Sequence, residues 1–139
     1  MAAVFLAVSG GVATLSSAAL AGVAVVVSKG SAVKSLSADD VKSIFLGKTK
    51  SFPGGGDASP CDQKAGSPAR DAFYNDVVGK SAEAMKKYWA SQVFTGSGTP
   101  PPEVGGDAEV KAWLGSNANG ICYIDSSAVD GSVKVVFKG

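Results

Sequence analysis

The feature that most restricts the fold is an unbroken apolar run at residues 23–27, in which four of the five residues are valine. A strand with one face in water alternates polar and apolar residues, whereas a strand buried on both faces is apolar throughout. The run therefore predicts a strand in the interior of a sheet. Sheets that contain such strands are usually covered by helices.

Helix start and stop signals follow this run. Residues 37–40 form a predicted capping box, with acidic residues where the helix dipole favours them, and Gly47 ends that helix. Ser67 before Pro68 indicates an N-cap followed by a proline at the first helical position, and Gly79 ends the second helix. The inward positions of both helices are apolar: Val41, Ile44 and Phe45 in the first, and Ala69, Ala72, Phe73 and Val77 in the second.

Two more helices and three more strands are predicted. Ser81 begins a third helix and Asp107 caps a fourth, while strands are expected at residues 58–62, 121–124 and 133–137. Strands separated by helices indicate an α/β domain, a mixed or largely parallel sheet flanked by about four helices. The aromatic residues at helical spacing are predicted to lie in the core: Phe73, Tyr88, Trp89, Phe94 and Trp113.

The first 21 residues differ in composition from the rest of the chain. Fifteen are apolar, none is charged, and the segment ends in Ala19-Leu20-Ala21, a small-residue pattern that signal peptidase accepts. Residues 1–21 are therefore predicted to be a cleavable signal peptide, and residues 22–139 a single domain. The first positive charge is Lys29, so the basic start of a signal peptide is missing. An uncleaved anchor and a buried core segment stay open as alternatives.

The absence of histidine from all 139 residues excludes whole classes of active site. No Ser-His-Asp triad, Cys-His pair or histidine-bound zinc site can form, and two cysteines are too few for a Cys₄ site. The formal net charge of +1 gives no basis for nucleic-acid binding. No spacing suggests a perturbed carboxylate or a Ser–Lys pair, so we predict a protein that is not an enzyme and needs no cofactor or metal.

Cys61 and Cys122 fall in two different predicted strands. An oxidising compartment would permit a disulfide between them, and closing a loop of about 60 residues would add roughly 4 kcal/mol of stability. The alternative is a pair of buried thiols that are too far apart or misaligned for the bond, which needs a Cα separation of about 4.4–6.8 Å.

Four segments of the sequence, residues 36–48, 66–74, 88–96 and 120–124, resemble phosphate-type periplasmic substrate-binding proteins. More narrowly, the chain is similar to short, single-lobe exported proteins labelled as phosphate transporter substrate-binding proteins. The likeness covers nearly all of residues 22–139. It implies a type-2 periplasmic-binding-protein lobe in which backbone amides and hydroxyls at helix N-termini hold an oxyanion.

Gly66 and Ser67 match the Gly-Ser that opens the phosphate-holding helix of these relatives. The chain departs from the pattern on both sides of this pair. Relatives continue with a glycine and a hydroxyl residue where this chain has Pro68 and Ala69, and proline has no N–H to donate. They also place an arginine where this chain has Gln63.

The candidate oxyanion ligands are Gly66, Ser67, Arg70 and Ser28. Arg70 is one turn into its helix and within reach of an anion at the helix start, and Ser28 follows a buried strand, where α/β sheets place ligands. Structural roles stay open for each: Ser67 as an ordinary N-cap, Arg70 as a solvated cation and Ser28 as a polar loop residue. Asp62 ends a predicted strand and is interpreted as a turn-capping residue, with the orientation of an active-site group as the alternative.

The sequence therefore predicts a non-enzymatic protein of the periplasm or the extracellular space that resembles the substrate-binding component of phosphate ABC transporters. The expected ligand is phosphate or another oxyanion, bound with modest affinity because a second lobe is absent. No nucleic-acid partner and no membrane span after leader cleavage are expected. The alternative is a module that binds no ligand and uses the same lobe to contact an envelope protein or to serve a structural role.

Overall fold

In the computed structural model, which describes residues 22–138, the predicted apolar strand lies inside a four-stranded sheet. This strand, β1 (Val23–Ser28), is buried along its first five residues and pairs with a strand on each side. The predicted signal peptide at residues 1–21 lies outside the described residues. Within residues 22–138, no helix has the length and apolar character that crossing a bilayer requires.

Helices and further strands follow β1 along the described chain. In order they are α1 (Ala38–Phe45), β2 (Ser59–Pro60), β3 (Asp62–Gln63), α2 (Pro68–Phe73), a π-helical turn (Tyr74–Val78), α3 (Ala82–Phe94), β4 (Glu103–Gly105), α4 (Asp107–Ser116), β5 (Gly120–Asp125), a 3₁₀ turn (Ser126–Ala128) and β6 (Val133–Lys138).

The main sheet is mixed, with the strand order β2-β5-β1-β6. β1 runs antiparallel to both of its neighbours, and β2 runs parallel to β5. In the register of β1 with β5, Val25 lies opposite Tyr123 and Val27 lies opposite Ile121. β3 and β4 form a second, two-stranded parallel sheet. This arrangement confirms the predicted α/β class with a mixed sheet and four flanking helices.

One extended segment contributes to both sheets. β2 pairs with β5, and the N–H of Cys61 donates to the Ile121 carbonyl at 3.0 Å. The partner changes at the next residue, because the N–H of Asp62 donates to the Pro102 carbonyl at 2.8 Å. The strand predicted over residues 58–62 is therefore two short strands. Asp62 and Gln63 extend beyond the main sheet as a result.

Three predicted helix starts are confirmed. Ser37 accepts a hydrogen bond from the N–H of Asp40 at 3.1 Å, and the Asp40 carboxylate accepts one from the N–H of Ser37 at 3.1 Å, which makes the capping box of α1. Ser67 caps α2 with Pro68 in its first turn, and Ser81 caps α3. Each cap satisfies a backbone N–H that the helix leaves without a partner.

The start of α4 differs from the prediction. Gly106 occupies the N-cap position, and its N–H donates to the Glu109 side chain at 2.9 Å. Because this glutamate closes the first turn, the cap needs no side-chain acceptor of its own. Asp107, predicted as the cap, is the first helical residue. Its carboxylate accepts hydrogen bonds from Gln63 at 2.7 Å and from the N–H of Asp125 at 3.2 Å.

Aromatic rings fill the space between the sheet and the helices. Phe73 stacks on Tyr123 with ring centroids 4.1 Å apart, and Phe45 meets Phe73 edge-on at 4.7 Å. The prediction that Phe94 belongs to this core is wrong, because 90% of it is exposed. Phe94 follows the buried Met85 by about two and a half helical turns, so the two side chains lie on opposite sides of α3. The other helical aromatics are partly buried against the core: Tyr88, Trp89 and Trp113.

The possible disulfide between Cys61 and Cys122 is absent, and both residues are free, buried thiols. The Sγ of Cys122 donates a hydrogen bond to the carbonyl oxygen of Cys61 at 3.0 Å. Burial and the contact with Cys61 raise the pKa of the Cys122 thiol, which disfavours the thiolate that oxidation to a disulfide requires. Of the two alternatives left open by the sequence, the pair of buried thiols is the one observed.

Gly120 begins β5 beneath α4, where a methyl group has no room. A Cβ at this position would lie 2.6 Å from Cζ3 of Trp113 and 2.9 Å from Cδ2 of Leu114. We expect Gly120→Ala to lower the free energy of unfolding by about 1–3 kcal/mol through overpacking, as measured by urea unfolding. The matched control is Gly115→Ala in α4, where the surrounding space is open and alanine should add up to about 1 kcal/mol. Equal effects of the two substitutions would contradict this packing.

Candidate functional site

A buried carboxylate lies where β3 leaves the main sheet. Asp62 is 3% exposed, and its side chain accepts hydrogen bonds from the hydroxyl of Tyr123 and, at 2.9 Å, from that of Tyr74. The Nη2 of Arg70 lies 4.0 Å from the same carboxylate. The interpretation of Asp62 as a turn-capping residue is therefore wrong, because its oxygens hold side chains from two other elements of the fold.

Burial determines the protonation of this cluster. Desolvation raises the pKa of Asp62 above its usual value, while the hydrogen bond from Tyr123 and the charge of Arg70 act in the opposite direction. Burial and the nearby carboxylate also raise the pKa of both Tyr74 and Tyr123. At neutral pH the two tyrosines therefore keep their protons and act as hydrogen-bond donors to Asp62.

The side-chain amide of Gln63 connects three elements next to this carboxylate. Its Nε2 donates to Oδ1 of Asp107 at 2.7 Å and to the Tyr123 carbonyl at 3.0 Å. Its Oε1 accepts a hydrogen bond from the Ser67 hydroxyl at 2.6 Å. These hydrogen bonds replace the ones to water that the side-chain amide of Gln63 loses when it is buried. Sequence reasoning missed this role, since nothing in the pattern of a short strand distinguishes such a glutamine from an exposed one.

Arg70 joins the two strands of the small sheet. Its Nη1 donates to the Gln63 carbonyl at 2.8 Å and lies 3.1 Å from Oε2 of Glu103 in β4. Its guanidinium also lies 6.0 Å from the centre of the Tyr74 ring. With 24% of the side chain exposed, the guanidinium is held at the boundary between this network and solvent.

Arg70 lines a cleft of about 420 Å³. Ala65 and Gly66 line it from the loop before α2, and Lys86 lines it from α3. Among the described residues, no group of three or more His, Cys, Asp or Glu side chains is placed to hold a metal ion. The remaining lining combines acidic and apolar residues, among them Asp62, Asp71, Glu103, Met85, Trp89 and Pro101.

The structure brings together three of the predicted ligand residues. Gly66 and Arg70 line the cleft, and Ser67 lies between them at the start of α2. Ser67 is buried, and its hydroxyl donates to Gln63 while accepting the N–H of Arg70 at 3.4 Å. The Ser67 side chain is therefore occupied by contacts within the protein.

Ser28 lies apart from the other three residues. Ser28 is the last residue of β1 and pairs with Val133. The cluster lies at the level of Val25, because Gln63 contacts Tyr123 and Tyr123 pairs with Val25. At about 3.3 Å per residue, the strand separates Ser28 from this cluster by roughly 10 Å or more. The carboxyl ends of strands meet at one edge of a sheet only when the strands are parallel. β1 runs antiparallel to β5, and β2 runs parallel to β5. The carboxyl end of β1, where Ser28 lies, is therefore at the opposite edge from the carboxyl end of β2, which leads to the cluster.

No protein-family model and no curated protein matches this sequence, but solved structures do. One is a protein from Clostridium perfringens, assigned as a phosphate ABC transporter substrate-binding protein and solved with bound phosphate, with a TM-score of 0.66 at 30% identity. An ABC-type phosphate transport receptor from Vibrio cholerae gives a TM-score of 0.64 at 21% identity. PstS from Borrelia burgdorferi gives 0.61 at 10% identity.

Each of these matches covers 83% of this chain. The chain has the fold of a single substrate-binding-protein lobe. The resemblance predicted from the sequence is thereby confirmed at the level of the fold. The lobe spans less than half of each protein that it matches, namely 44%, 45% and 46% of their chains.

Removing one hydroxyl at a time tests the buried network of the lobe. Tyr74→Phe removes one hydrogen bond to Asp62 and should lower the free energy of unfolding by about 1–2 kcal/mol. Tyr123→Phe also removes the acceptor of the Gln63 N–H, which lies 3.1 Å away, so its loss should be about 2–4 kcal/mol. Urea unfolding measures both values. A Tyr74→Phe variant as unstable as Tyr123→Phe would disprove the unequal roles of the two hydroxyls.

The raised pKa of Asp62 predicts a particular pH dependence of stability. The folded lobe binds the Asp62 proton more tightly than the unfolded chain, so the ionised carboxyl destabilises the fold above the folded pKa. This penalty disappears as the pH falls through that pKa. Because Asp62→Asn does not titrate, the stability of the wild type relative to this variant should rise from about pH 7 to about pH 4 in urea unfolding. A difference that stays constant or shrinks in acid would be inconsistent with the raised pKa.

Proposed function

We propose that this chain is a non-enzymatic binding module that holds phosphate or a similar oxyanion in the cleft beside Arg70. The observation that carries the proposal is that Arg70, Lys86 and the exposed residues Ala65 and Gly66 all line that cleft. Neither Ala65 nor Gly66 donates its N–H to another group within residues 22–138. Guanidinium, ammonium and free N–H groups are suitable donors for an oxyanion. The phosphate bound to the solved relative from Clostridium perfringens supports this ligand class.

Acidic side chains in the same cleft limit the expected affinity. Glu103 already pairs with Arg70 at 3.1 Å, and the Asp62 carboxylate lies 4.0 Å from the guanidinium. An incoming anion has to share the guanidinium with these carboxylates. We therefore expect a dissociation constant of about 1–10 mM for phosphate.

The hydrogen bonds around the cleft support a binding role and not proton-transfer catalysis. The Ser67 hydroxyl donates to the amide oxygen of Gln63, which is not a base, so the serine is not activated as a nucleophile. Asp62 already accepts hydrogen bonds from two tyrosines, and the chain contains no histidine. These contacts support binding as the role of the lobe.

The proposal includes export of the lobe to the periplasm or the extracellular space. Residues 1–21 would serve as the signal peptide, since they combine an uncharged apolar segment with Ala19-Leu20-Ala21 at its end. The likeness to transporter substrate-binding proteins supports the same location.

A second candidate function requires no ligand. The polar groups of Ser67 and Arg70 are already bonded to Gln63 and Glu103, so the network is complete without an anion. This observation favours a lobe that binds no ligand, and we propose for such a lobe a structural role in the envelope or an interaction with an envelope protein.

Titration with inorganic phosphate, followed through the backbone amide NMR signal of Gly66, tests the oxyanion site. We expect saturable shifts at Gly66 and weaker binding in Lys86→Gln. Glu103→Gln should bind phosphate about two- to fivefold more tightly, because it removes the carboxylate that competes for Arg70. Lys87→Gln is the matched control, since Lys87 adjoins Lys86 in α3 but does not line the cleft.

A Gly66 signal that does not move at about 50 mM phosphate would refute the oxyanion site, as would equal shifts with chloride at matched ionic strength. Shifts with sulfate as large as those with phosphate would assign the cleft to oxyanions in general. If Gly66 does not respond and crosslinking in the native envelope captures a specific partner, the second candidate function is supported instead.

A further inference from the structure

The cleft beside Arg70 is larger than inorganic phosphate requires. Its volume is about 420 Å³, which lies in the range of about 300–1,000 Å³ that is typical of pockets for organic ligands. A cavity of about 150 Å³ is sufficient to hold a benzene molecule, and phosphate has fewer non-hydrogen atoms than benzene. A bound phosphate ion would therefore leave room in the cleft for an organic group of about the size of one aromatic ring.

α3 contributes a cation and an aromatic ring to the same side of the cleft. The lining residues from this helix are Ala82, Met85, Lys86 and Trp89. Residues that are three or four positions apart lie on one face of a helix, with Cβ atoms about 5–6 Å apart. Lys86 and Trp89 have this spacing. A ligand in the cleft can therefore contact the ammonium group and the indole ring together.

The apolar residues of the cleft form a wall of their own. Trp89, Pro100 and Pro101 also line a neighbouring cavity of about 290 Å³, whereas Gly66 and Arg70 do not. The three apolar residues therefore lie together on the side of the cleft that separates it from that cavity. The Gly66 loop and Arg70 line the cleft away from this wall. The cleft thus has a cationic region and an apolar region.

Lys86 strengthens the case for a charged group on the ligand. Arg70 pairs with Glu103 at 3.1 Å and lies 4.0 Å from the Asp62 carboxylate, so its charge is already shared. Lys86 makes no ion pair within residues 22–138. An anion beside Arg70 can therefore take the ammonium group of Lys86 as a second cation. A neutral apolar ligand would leave both cations unused.

We propose that the ligand of this cleft is a phosphate monoester whose organic group is apolar and about the size of one aromatic ring. Its phosphate group lies beside Arg70 and Lys86, and its organic group packs against Trp89 and Pro101. This inference rests on the proposed function, because it uses the same cations for the oxyanion. Burial of a ring against an indole adds affinity that inorganic phosphate cannot obtain.

A comparison of methyl phosphate with phenyl phosphate isolates the contribution of the ring. At about pH 8 both esters are dianions, since the second pKa of a phosphate monoester is about 6. Titrations of the purified protein are followed through the backbone amide NMR signal of Gly66 and the indole N–H signal of Trp89. We expect phenyl phosphate to bind about tenfold more tightly than methyl phosphate and to shift both signals with one dissociation constant.

Variants of the two tryptophans locate the ring. Trp89→Leu should reduce the preference for phenyl phosphate from about tenfold to about threefold or less, while the affinity for methyl phosphate stays unchanged. Trp113→Phe is the matched control, because Trp113 does not line the cleft, and it also identifies the indole signal of Trp89. Lys86→Gln should weaken both esters by the same factor. The comparison of the esters on the wild-type protein decides the proposal even if Trp89→Leu does not fold.

The outcomes distinguish this inference from the proposed function. Equal affinities for the two esters, with Gly66 still responding to both, would overturn the inference and leave the oxyanion site intact. A tenfold preference that Trp89→Leu retains in full would also overturn it, because the ring would then lie elsewhere. If Gly66 responds to neither ester and not to inorganic phosphate, the proposed function is refuted and the inference fails with it.

Discussion

The buried carboxylate of Asp62 is the interaction on which the structure around the cleft depends. Removing this charge from water is costly, and the cost is offset by the hydroxyls of Tyr74 and Tyr123 and by the guanidinium of Arg70. These groups come from the π-helical turn, from β5 and from α2. One carboxylate therefore fixes three elements relative to β3, and the Gly66 loop is held at the edge of the cleft as a consequence.

α3 is attached much less firmly than the elements around Asp62. Met85 is the one residue of α3 that is fully buried. The helix is also held by the Tyr88 hydroxyl, which donates to the Leu46 carbonyl at 2.6 Å. Trp89 lines the cleft, and its buried indole N–H has no hydrogen-bond partner among residues 22–138. A helix with few buried apolar contacts can adjust its position at low cost. The proposed oxyanion cleft therefore includes a helix that can adjust its position at low cost.

Local features of the fold could be predicted from the sequence, whereas the site depends on distant contacts. The caps at Ser37 and Ser67 are predictable because each one bonds to a residue three positions away. The role of Gln63 is not, since only Ser67 among its side-chain partners is near in sequence and the other two lie 44 and 60 residues away. Two further positions depend on tertiary packing, which residue spacing does not specify. The direction of β1 sets Ser28 apart from the cleft, and the face that α3 buries leaves Phe94 in water.

The first and last strands of the described chain are antiparallel neighbours, with Ala24 opposite Lys138. The polypeptide therefore enters and leaves the lobe at one place on its surface. A unit with this arrangement can be accommodated within a loop of another protein without stretching either junction.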